Sequence, residues 1–313
     1  MSRPAVLVAG RMPPNVLDQL EASFIVYSLP DSADEADRMI DAVGPLIRGM
    51  ATNAVQAPPI DRLERLPVLE IMASSGIGTD ALNLDYARQR GIRVTHTPDV
   101  LTDDVADFAL LLMLATSRQL LRADRNVRAG RWLDGLSLAH RVSGKRLGIL
   151  GLGRIGQAIA QRAAAFDMTI GYHQRRRNAD VAYRYYDSLV ALAADSDFLV
   201  VVVPGGPATD RMVDAVVLEA LGPEGILINV GRGSTVDEPA LITALTQGDI
   251  RGAGLDVLAN EPQVPDALHA LDNVVLAPHY ASATMETRTA MGQLVVDNLR
   301  AHFDGRALLT PVA

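Results

Sequence analysis

Residues 145–160 read KRLGILGLGRIGQAIA. An apolar run at 147–150 leads into Gly151, Gly153 and Gly156 in G-x-G-x-x-G spacing, and a helix-compatible segment follows with Arg154 and Ile155 in its first turn. Each glycine has a physical task in such a unit. The first permits the tight turn, the second lets backbone amides approach a pyrophosphate, and the third allows close packing of helix on sheet. The helix N-terminus then faces the anion. A bare connecting turn would also use glycines, but strand, turn and helix are in register, so a dinucleotide loop is the expectation.

Outward from this loop, apolar runs recur at 169–172, 198–203, 225–230, 252–257 and 274–277. They are nearly continuously apolar, as strands of a parallel sheet covered on both faces should be. Three chemically capable residues follow successive runs: Arg232, Glu261 and His279. In an open parallel sheet ligands bind beyond the carboxyl ends of the strands, so residues distant in sequence can meet around one substrate. An imidazole can protonate a carbonyl oxygen, a nearby carboxylate favours the imidazolium, and a guanidinium can hold carboxylate and carbonyl oxygens together. Taken singly, each has a plainer explanation as a loop cap, a helix-start acid or a core histidine. The remaining histidines show no metal-ligand spacing, so no metal is expected.

An enzyme using NAD carries an acid about 20 residues beyond the first glycine, where it binds the ribose 2′-hydroxyl. Here the chain reads Tyr172, His173, Gln174, Arg175, Arg176, Arg177, with no acid before Asp180. A 2′-phosphate would meet cations there, which predicts NADP(H) rather than NAD, unless the turn is merely a solvated basic loop. Gln174, Arg175 and Arg176 are the expected contacts.

The first hundred residues form a separate α/β series, with strands expected at 5–9, 24–27, 45–47, 69–73 and 92–94 and helices at 15–21, 36–42, 60–66 and 83–90. Prolines 13, 14, 58, 59 and 67 punctuate the connections. A single helix is expected over 103–121, capped by Thr102 and apolar on nearly all sides, so it must be covered widely, between domains or subunits. A last helix is expected at 286–303.

Composition bounds the reading. The 313 residues suggest two domains, and 49% hydrophobic with 21% charged residues excludes a largely disordered chain. With no cysteine, disulfides, thiolate catalysis and Cys-ligated metal are ruled out. Apolar runs such as 108–115 are far too short for a membrane span, and residues 1–10 lack the long apolar region of a signal peptide, so a cytoplasmic location is expected. A net charge of −8 disfavours nucleic acid as a partner.

The motifs SSGIGTD (74–80), TPDVLTDDVAD (97–107), GILGLGRIG (148–156), NVGRGSTVDEPAL (229–241), GAGLDV (252–257), NEP (260–262) and APH (277–279) occur in this order. Together they make the chain resemble the D-isomer-specific 2-hydroxyacid dehydrogenases, within them the NADPH-dependent glyoxylate/hydroxypyruvate and hydroxyphenylpyruvate reductases. The resemblance implies a Rossmann-type doubly wound parallel sheet over 99–280 that binds NADP. It also implies a flavodoxin-like α/β substrate domain from 1–98 and 281–313, with a cleft between the two and a homodimer built on the cofactor domain. It makes Arg232 the substrate-binding arginine, Glu261 the partner of the histidine and His279 the proton donor. Amides around Ser75, Gly76, Ile77 and Gly78 would hold the substrate carboxylate, where the residues alone read as a simple βα turn. Thr102 and Asp256 would lie near the nicotinamide half of the cofactor, although a structural hydrogen-bonding role suits Asp256 at its strand end almost as well. The implied activity is NADPH-dependent reduction of a small 2-oxo acid to the D-2-hydroxy acid. A dinucleotide-sensing, corepressor-like binding protein is the alternative on this fold.

Two departures bear on the substrate. Relatives usually carry Pro-Leu-Thr-Pro where this chain has Pro204, Gly205, Gly206 and Pro207, and an aliphatic residue and glycine where Tyr280 and Ala281 follow His279. The first removes a leucine contact and a threonine hydroxyl beside the cofactor. The second either narrows the pocket or adds a hydroxyl to it.

Overall fold

Among the described residues of the first hundred, five short strands form one wholly parallel sheet. In chain order this part runs β1 (Ala5–Val8), α1 (Pro14–Ser23), β2 (Ile25–Ser28), α2 (Ala33–Val43), β3 (Ile47–Asn53), α3 (Ile60–Glu64), β4 (Ile71–Ser75), α4 (Leu84–Arg90) and β5 (Arg93–Thr95). The strand order is β2-β1-β3-β4-β5, the flavodoxin arrangement. This is a computed structural model, and it describes residues 3–53 and 57–312.

The next segment runs α5 (Thr102–Ser117), α6 (Leu120–Arg128), β6 (Arg146–Leu150), α7 (Arg154–Ala164), β7 (Thr169–His173), β8 (Arg184–Tyr185), α8 (Leu189–Ala194), β9 (Phe198–Val201), α9 (Ala215–Leu221), β10 (Ile226–Asn229), α10 (Glu238–Gln247), β11 (Gly252–Leu255), α11 (Asp266–His269) and β12 (Val274–Leu276). Its seven strands are again all parallel, in the order β12-β11-β10-β9-β6-β7-β8. The first strand of this series is central, its immediate successors run to one side and the later ones to the other. That is the doubly wound Rossmann order, with its switch point between β6 and β9.

The chain closes with α12 (Met285–Phe303), capped by Thr284 Oγ1, which accepts the Thr287 N–H at 3.1 Å. Val295, Val296 and Leu299 of this helix are buried with Val6, Val8, Val16 and Leu20 of the first sheet's layers. Each such burial contributes about 1.5–3 kcal/mol as an upper estimate. The C-terminal helix is thereby part of the first unit. The two compact units are Met1–Leu101 with Ala283–Ala313, and Thr102–Ser282.

Three expectations need correction. The helix expected over 103–121 is two helices, because Gln119 adopts a left-handed backbone (φ 50°) that ends the hydrogen-bond ladder. Within its own unit α5 is covered by α7 and by β10 and β11, which accounts for its apolar circumference. Thr102 does not cap it: its Oγ1 is shielded from solvent and has no hydrogen-bond partner among the described residues. Finally, β3 spans Ile47–Asn53, not 45–47. Its small and polar residues hide the strand signal, and a Cβ on Gly49 would lie 3.1 Å from the Phe303 ring, so this residue is small to admit α12.

Candidate active site

The glycine-rich loop leaves the carboxyl end of β6 at the switch point. Gly151 has φ 98°, its N–H donates to His173 O at 2.9 Å, and a Cβ there would lie 2.8 Å from Val203. A Cβ on Gly156 would come within 2.1 Å of Gly151 O, so α7 packs onto the turn only with glycine at that position. Gly153 differs, since a Cβ built on it meets nothing within 4 Å. Among the described residues nothing occupies that space, which leaves it open to an approaching pyrophosphate. The N-cap of α7 is Gly153, which has no side chain to cap the N–H groups of the helix's first turn. These N–H groups thus suit an anion. The donor set fits a dinucleotide, and the Thr102 hydroxyl in the same unit, buried without a hydrogen-bond partner among the described residues, is a further polar group of this unit.

Beyond β7, Arg175, Arg176 and Arg177 are exposed on a bend. Gln174, expected to face a 2′-phosphate, has both ends of its carboxamide engaged. Its Oε1 accepts the Leu152 N–H at 3.1 Å, and its Nε2 donates to Arg176 O at 2.7 Å.

Arg232, Glu261 and His279 lie beyond the carboxyl ends of the adjacent strands β10, β11 and β12. His279 Nδ1 stands 2.8 Å from Glu261 Oε2, with the two side chains 30% and 25% exposed. Glu261 Oε1 accepts the Leu258 N–H at 3.1 Å, which fixes the carboxylate. Burial alone would raise the Glu261 carboxyl. The His279 hydrogen bond and charge, the Leu258 N–H and the charge of Arg232 outweigh burial and hold the carboxyl below its ordinary value. Glu261 is therefore an anion at neutral pH.

Arg232 sits in a turn tied down from several sides. Asn229 Nδ2 and Thr235 Oγ1 both donate to Arg232 O, at 3.0 and 2.5 Å, while Asn229 Oδ1 accepts the Gly231 N–H at 3.0 Å. A Cβ on Gly233 would overlap the Leu258 backbone at 1.9 Å, and this close approach brings the arginine turn against the 258–261 segment. Gly205, at the usual leucine position, lies against the arginine stem, since a Cβ there would be 3.1 Å from Arg232 Cγ. Tyr280, 54% exposed, meets Phe108 edge-on at 6.4 Å.

Asp256, read from the sequence as a residue near the nicotinamide or as a structural hydrogen-bonding group, has both its oxygens on backbone N–H groups. Oδ1 accepts the Tyr280 N–H at 2.6 Å and Oδ2 the Ala281 N–H at 3.0 Å, while Asp256 O accepts the His279 N–H at 2.8 Å. His279 itself has φ 53°, a left-handed conformation uncommon outside glycine. Asp256 thus holds the backbone that aims the imidazole. Burial raises its carboxyl above the usual aspartate value, although the two N–H groups and His279 pull the other way. The sequence already allowed a structural hydrogen-bonding role for Asp256, an acid closing an otherwise apolar strand.

In the other unit Ser75 ends β4 and Gly76, Ile77 and Gly78 follow. Gly76, expected to offer its N–H to a substrate, donates it to Thr97 Oγ1 at 2.8 Å. His96 Nδ1 lies 3.1 Å from Ile77 O. Among the described residues no acceptor is recorded for the Ile77 and Gly78 N–H groups.

A Rossmann-type sheet with a dinucleotide loop at its switch point and a His–Glu pair on the same edge defines a nicotinamide-dependent oxidoreductase. Residues 110–281 match the family model described as D-isomer specific 2-hydroxyacid dehydrogenase, NAD binding domain. The chain is 50% identical over 267 residues to hydroxyphenylpyruvate reductase of Plectranthus scutellarioides, covering 85% of each. It is 52% identical over 267 residues to glyoxylate/hydroxypyruvate reductase A of Arabidopsis thaliana, again 85% of each. Among solved structures, NADPH-dependent glyoxylate/hydroxypyruvate reductase of Sinorhizobium meliloti, in complex with NADP and malonate, superposes with a TM-score of 0.93 at 47% identity, over 100% of this chain and 97% of that one. The chain belongs to the D-isomer-specific 2-hydroxyacid dehydrogenase family.

Proposed function

We propose that the protein reduces a small 2-oxo acid to the D-2-hydroxy acid with NADPH, with glyoxylate and hydroxypyruvate as the leading substrates and hydroxyphenylpyruvate as a further one. The observation that carries this reading is the 2.8 Å His279–Glu261 pair beside Arg232 on the carboxyl edge that also bears the glycine loop. When bound, NADPH supplies the hydride that reaches the carbonyl carbon. Glu261 takes up Nδ1 of His279 and leaves Nε2 as the nitrogen that gives a proton to the carbonyl oxygen. Arg232 offers its planar fork to the carboxylate and carbonyl oxygens. The Ile77 and Gly78 amides are our candidates for the remaining carboxylate contacts. Residues 175–177, all basic, suit the 2′-phosphate.

The unit Thr102–Ser282 is accordingly the NADP-binding domain, and the unit containing both termini is the substrate domain. We also propose a homodimer through the cofactor domain. Leu111, Leu120, Trp132, Leu133 and Leu138 of that unit are all more than half exposed, an apolar surface of the sort that a subunit interface covers. Among the described residues no helix is long and apolar enough to cross a membrane. Together with the absence of cysteine, this is compatible with the cytoplasmic location we propose.

The test is a panel of glyoxylate, hydroxypyruvate, pyruvate, phenylpyruvate and hydroxyphenylpyruvate, scored as kcat/KM with NADPH and NADH. Turnover of glyoxylate or hydroxypyruvate, with NADPH preferred, supports the reading. No turnover of any 2-oxo acid alongside tight dinucleotide binding would favour a sensing protein.

A further inference from the structure

The basic turn after β7 is anchored at both ends. At its start the Gln174 carboxamide spans two segments, with Oε1 accepting the Leu152 N–H of the dinucleotide loop and Nε2 donating to Arg176 O inside the turn. The Gln174 main-chain oxygen accepts Tyr185 Oη at 3.2 Å. At the far end the Tyr172 hydroxyl donates to Asn178 O at 3.1 Å and accepts the Asn178 N–H at 2.9 Å, and its ring packs on Tyr185 with centroids 5.4 Å apart. A solvated loop with no task beyond connection has no need of this bracing. Residues 175–177 nevertheless remain exposed, so the bracing presents their side chains to solvent without burying them.

From this arrangement we propose that Gln174 is the positioning residue that sets the choice between NADPH and NADH, by coupling the dinucleotide loop to the arginine turn. The proposal deepens the NADPH reading above and rests on it. Of the ordinary side chains of this length, a carboxamide alone supplies the acceptor that Leu152 needs and the donor that Arg176 needs. A carboxylate could accept from Leu152 but would face the Arg176 carbonyl with no proton to give. It would also bring an anion next to His173, near which an NAD enzyme keeps its ribose-binding acid, repelling a 2′-phosphate. An apolar residue would leave both backbone groups without a partner. The neutral amide thus keeps the loop-to-turn link and omits the charge. Holding the arginine backbone in advance lowers the ordering cost of capturing the phosphate, so the gain falls on the phosphorylated cofactor.

The experiment measures dissociation constants for NADP+ and NAD+ by titration calorimetry in the wild type, Gln174→Met and Gln174→Glu, each also in an Arg175→Ala/Arg176→Ala background. Thermal unfolding is followed for every variant. Gln174→Met is expected to weaken NADP+ about tenfold while NAD+ moves by about twofold or less, the scale set by two lost hydrogen bonds at a partly exposed site. Gln174→Glu retains the Leu152 acceptor and is expected to weaken NADP+ further. In the doubly substituted background the effect of Gln174→Met on NADP+ should largely vanish, because the two arginines next to the Gln174 bridge, Arg175 and Arg176, are no longer there to position. Equal weakening of NADP+ and NAD+ would overturn the proposal by making Gln174 only a prop for the dinucleotide loop. Full additivity with the arginine changes would overturn it by showing that Gln174 acts independently of them. A wild type that does not distinguish NADP+ from NAD+ would overturn the NADPH reading itself, a failure separate from both of these.

Discussion

Asp256→Asn separates the aiming of the imidazole from its chemistry. The carboxylate is 2% exposed and accepts two backbone N–H groups, from Tyr280 and Ala281, immediately after His279 in its left-handed conformation. An asparagine has almost the same shape but a single side-chain acceptor oxygen, so one of those N–H groups must face an NH2. A buried donor left in that state costs about 1–3 kcal/mol. Relief of the buried charge, whose desolvation raises the Asp256 carboxyl, offsets part of this. If the loss falls on the placement of residues 279–281, it corresponds to about five- to a hundredfold in turnover at about 1.36 kcal/mol per factor of ten. The assay is steady-state reduction of the best 2-oxo acid with NADPH, in H2O and D2O. We expect kcat to fall by that factor and the solvent isotope effect to rise, because a misplaced donor makes proton transfer more limiting. Unchanged kcat and isotope effect, with an unchanged unfolding midpoint, would refute the reasoning.

Arg232→Lys keeps the charge but not the fork, so KM for the 2-oxo acid should rise and kcat should fall together; indifference to the change would reduce Arg232 to a loop residue. Gly153→Ala adds a Cβ where nothing lies within 4 Å, so it should leave the unfolding midpoint nearly unmoved and weaken NADP+ binding measured by calorimetry. Gly156→Ala places its Cβ 2.1 Å from Gly151 O, and it should lower the unfolding midpoint or abolish folding. The reverse pattern in this pair would contradict the assignment of the two glycines.

The parts of the molecule legible in sequence are those whose signal is local. The strand–turn–helix at 145–160 sits where its register demands, and the apolar runs ending before Arg232, Glu261 and His279 became β10, β11 and β12 in neighbouring order. What escaped depends on tertiary contact. Gln119 carries no helix-breaking composition, yet its left-handed backbone divides the expected helix. The centre of β3 is small because Phe303, some 250 residues away, packs over Gly49. Side-chain tasks were harder still. Asp256, Gln174 and the Gly76 N–H occupy positions where a ligand contact is a fair expectation, and each is also held by a backbone group or by Thr97, which no local pattern announces. A motif fixes which residue types gather at a site, while hydrogen-bond geometry decides which of them face inward.

The central claim is that Glu261, as an anion, keeps His279 ready to give a proton, and the pH dependence of kcat/KM in wild type and Glu261→Gln tests it most directly. The Glu261 carboxyl lies below its ordinary value of about 4.3. Its contribution to the pair is therefore complete above that pH and is lost only as pH falls through the lowered value. On the alkaline side, replacing the carboxylate with a carboxamide weakens a charge-assisted hydrogen bond, a class that contributes about 1.5–3 kcal/mol, and part of this is already screened by solvent at a site about a quarter exposed. The decline of 2-oxo acid reduction should therefore move to lower pH, with a further loss of about 10²–10⁴-fold at all pH in His279→Ala. Superimposable profiles for wild type and Glu261→Gln, or full activity in His279→Ala, would contradict the account.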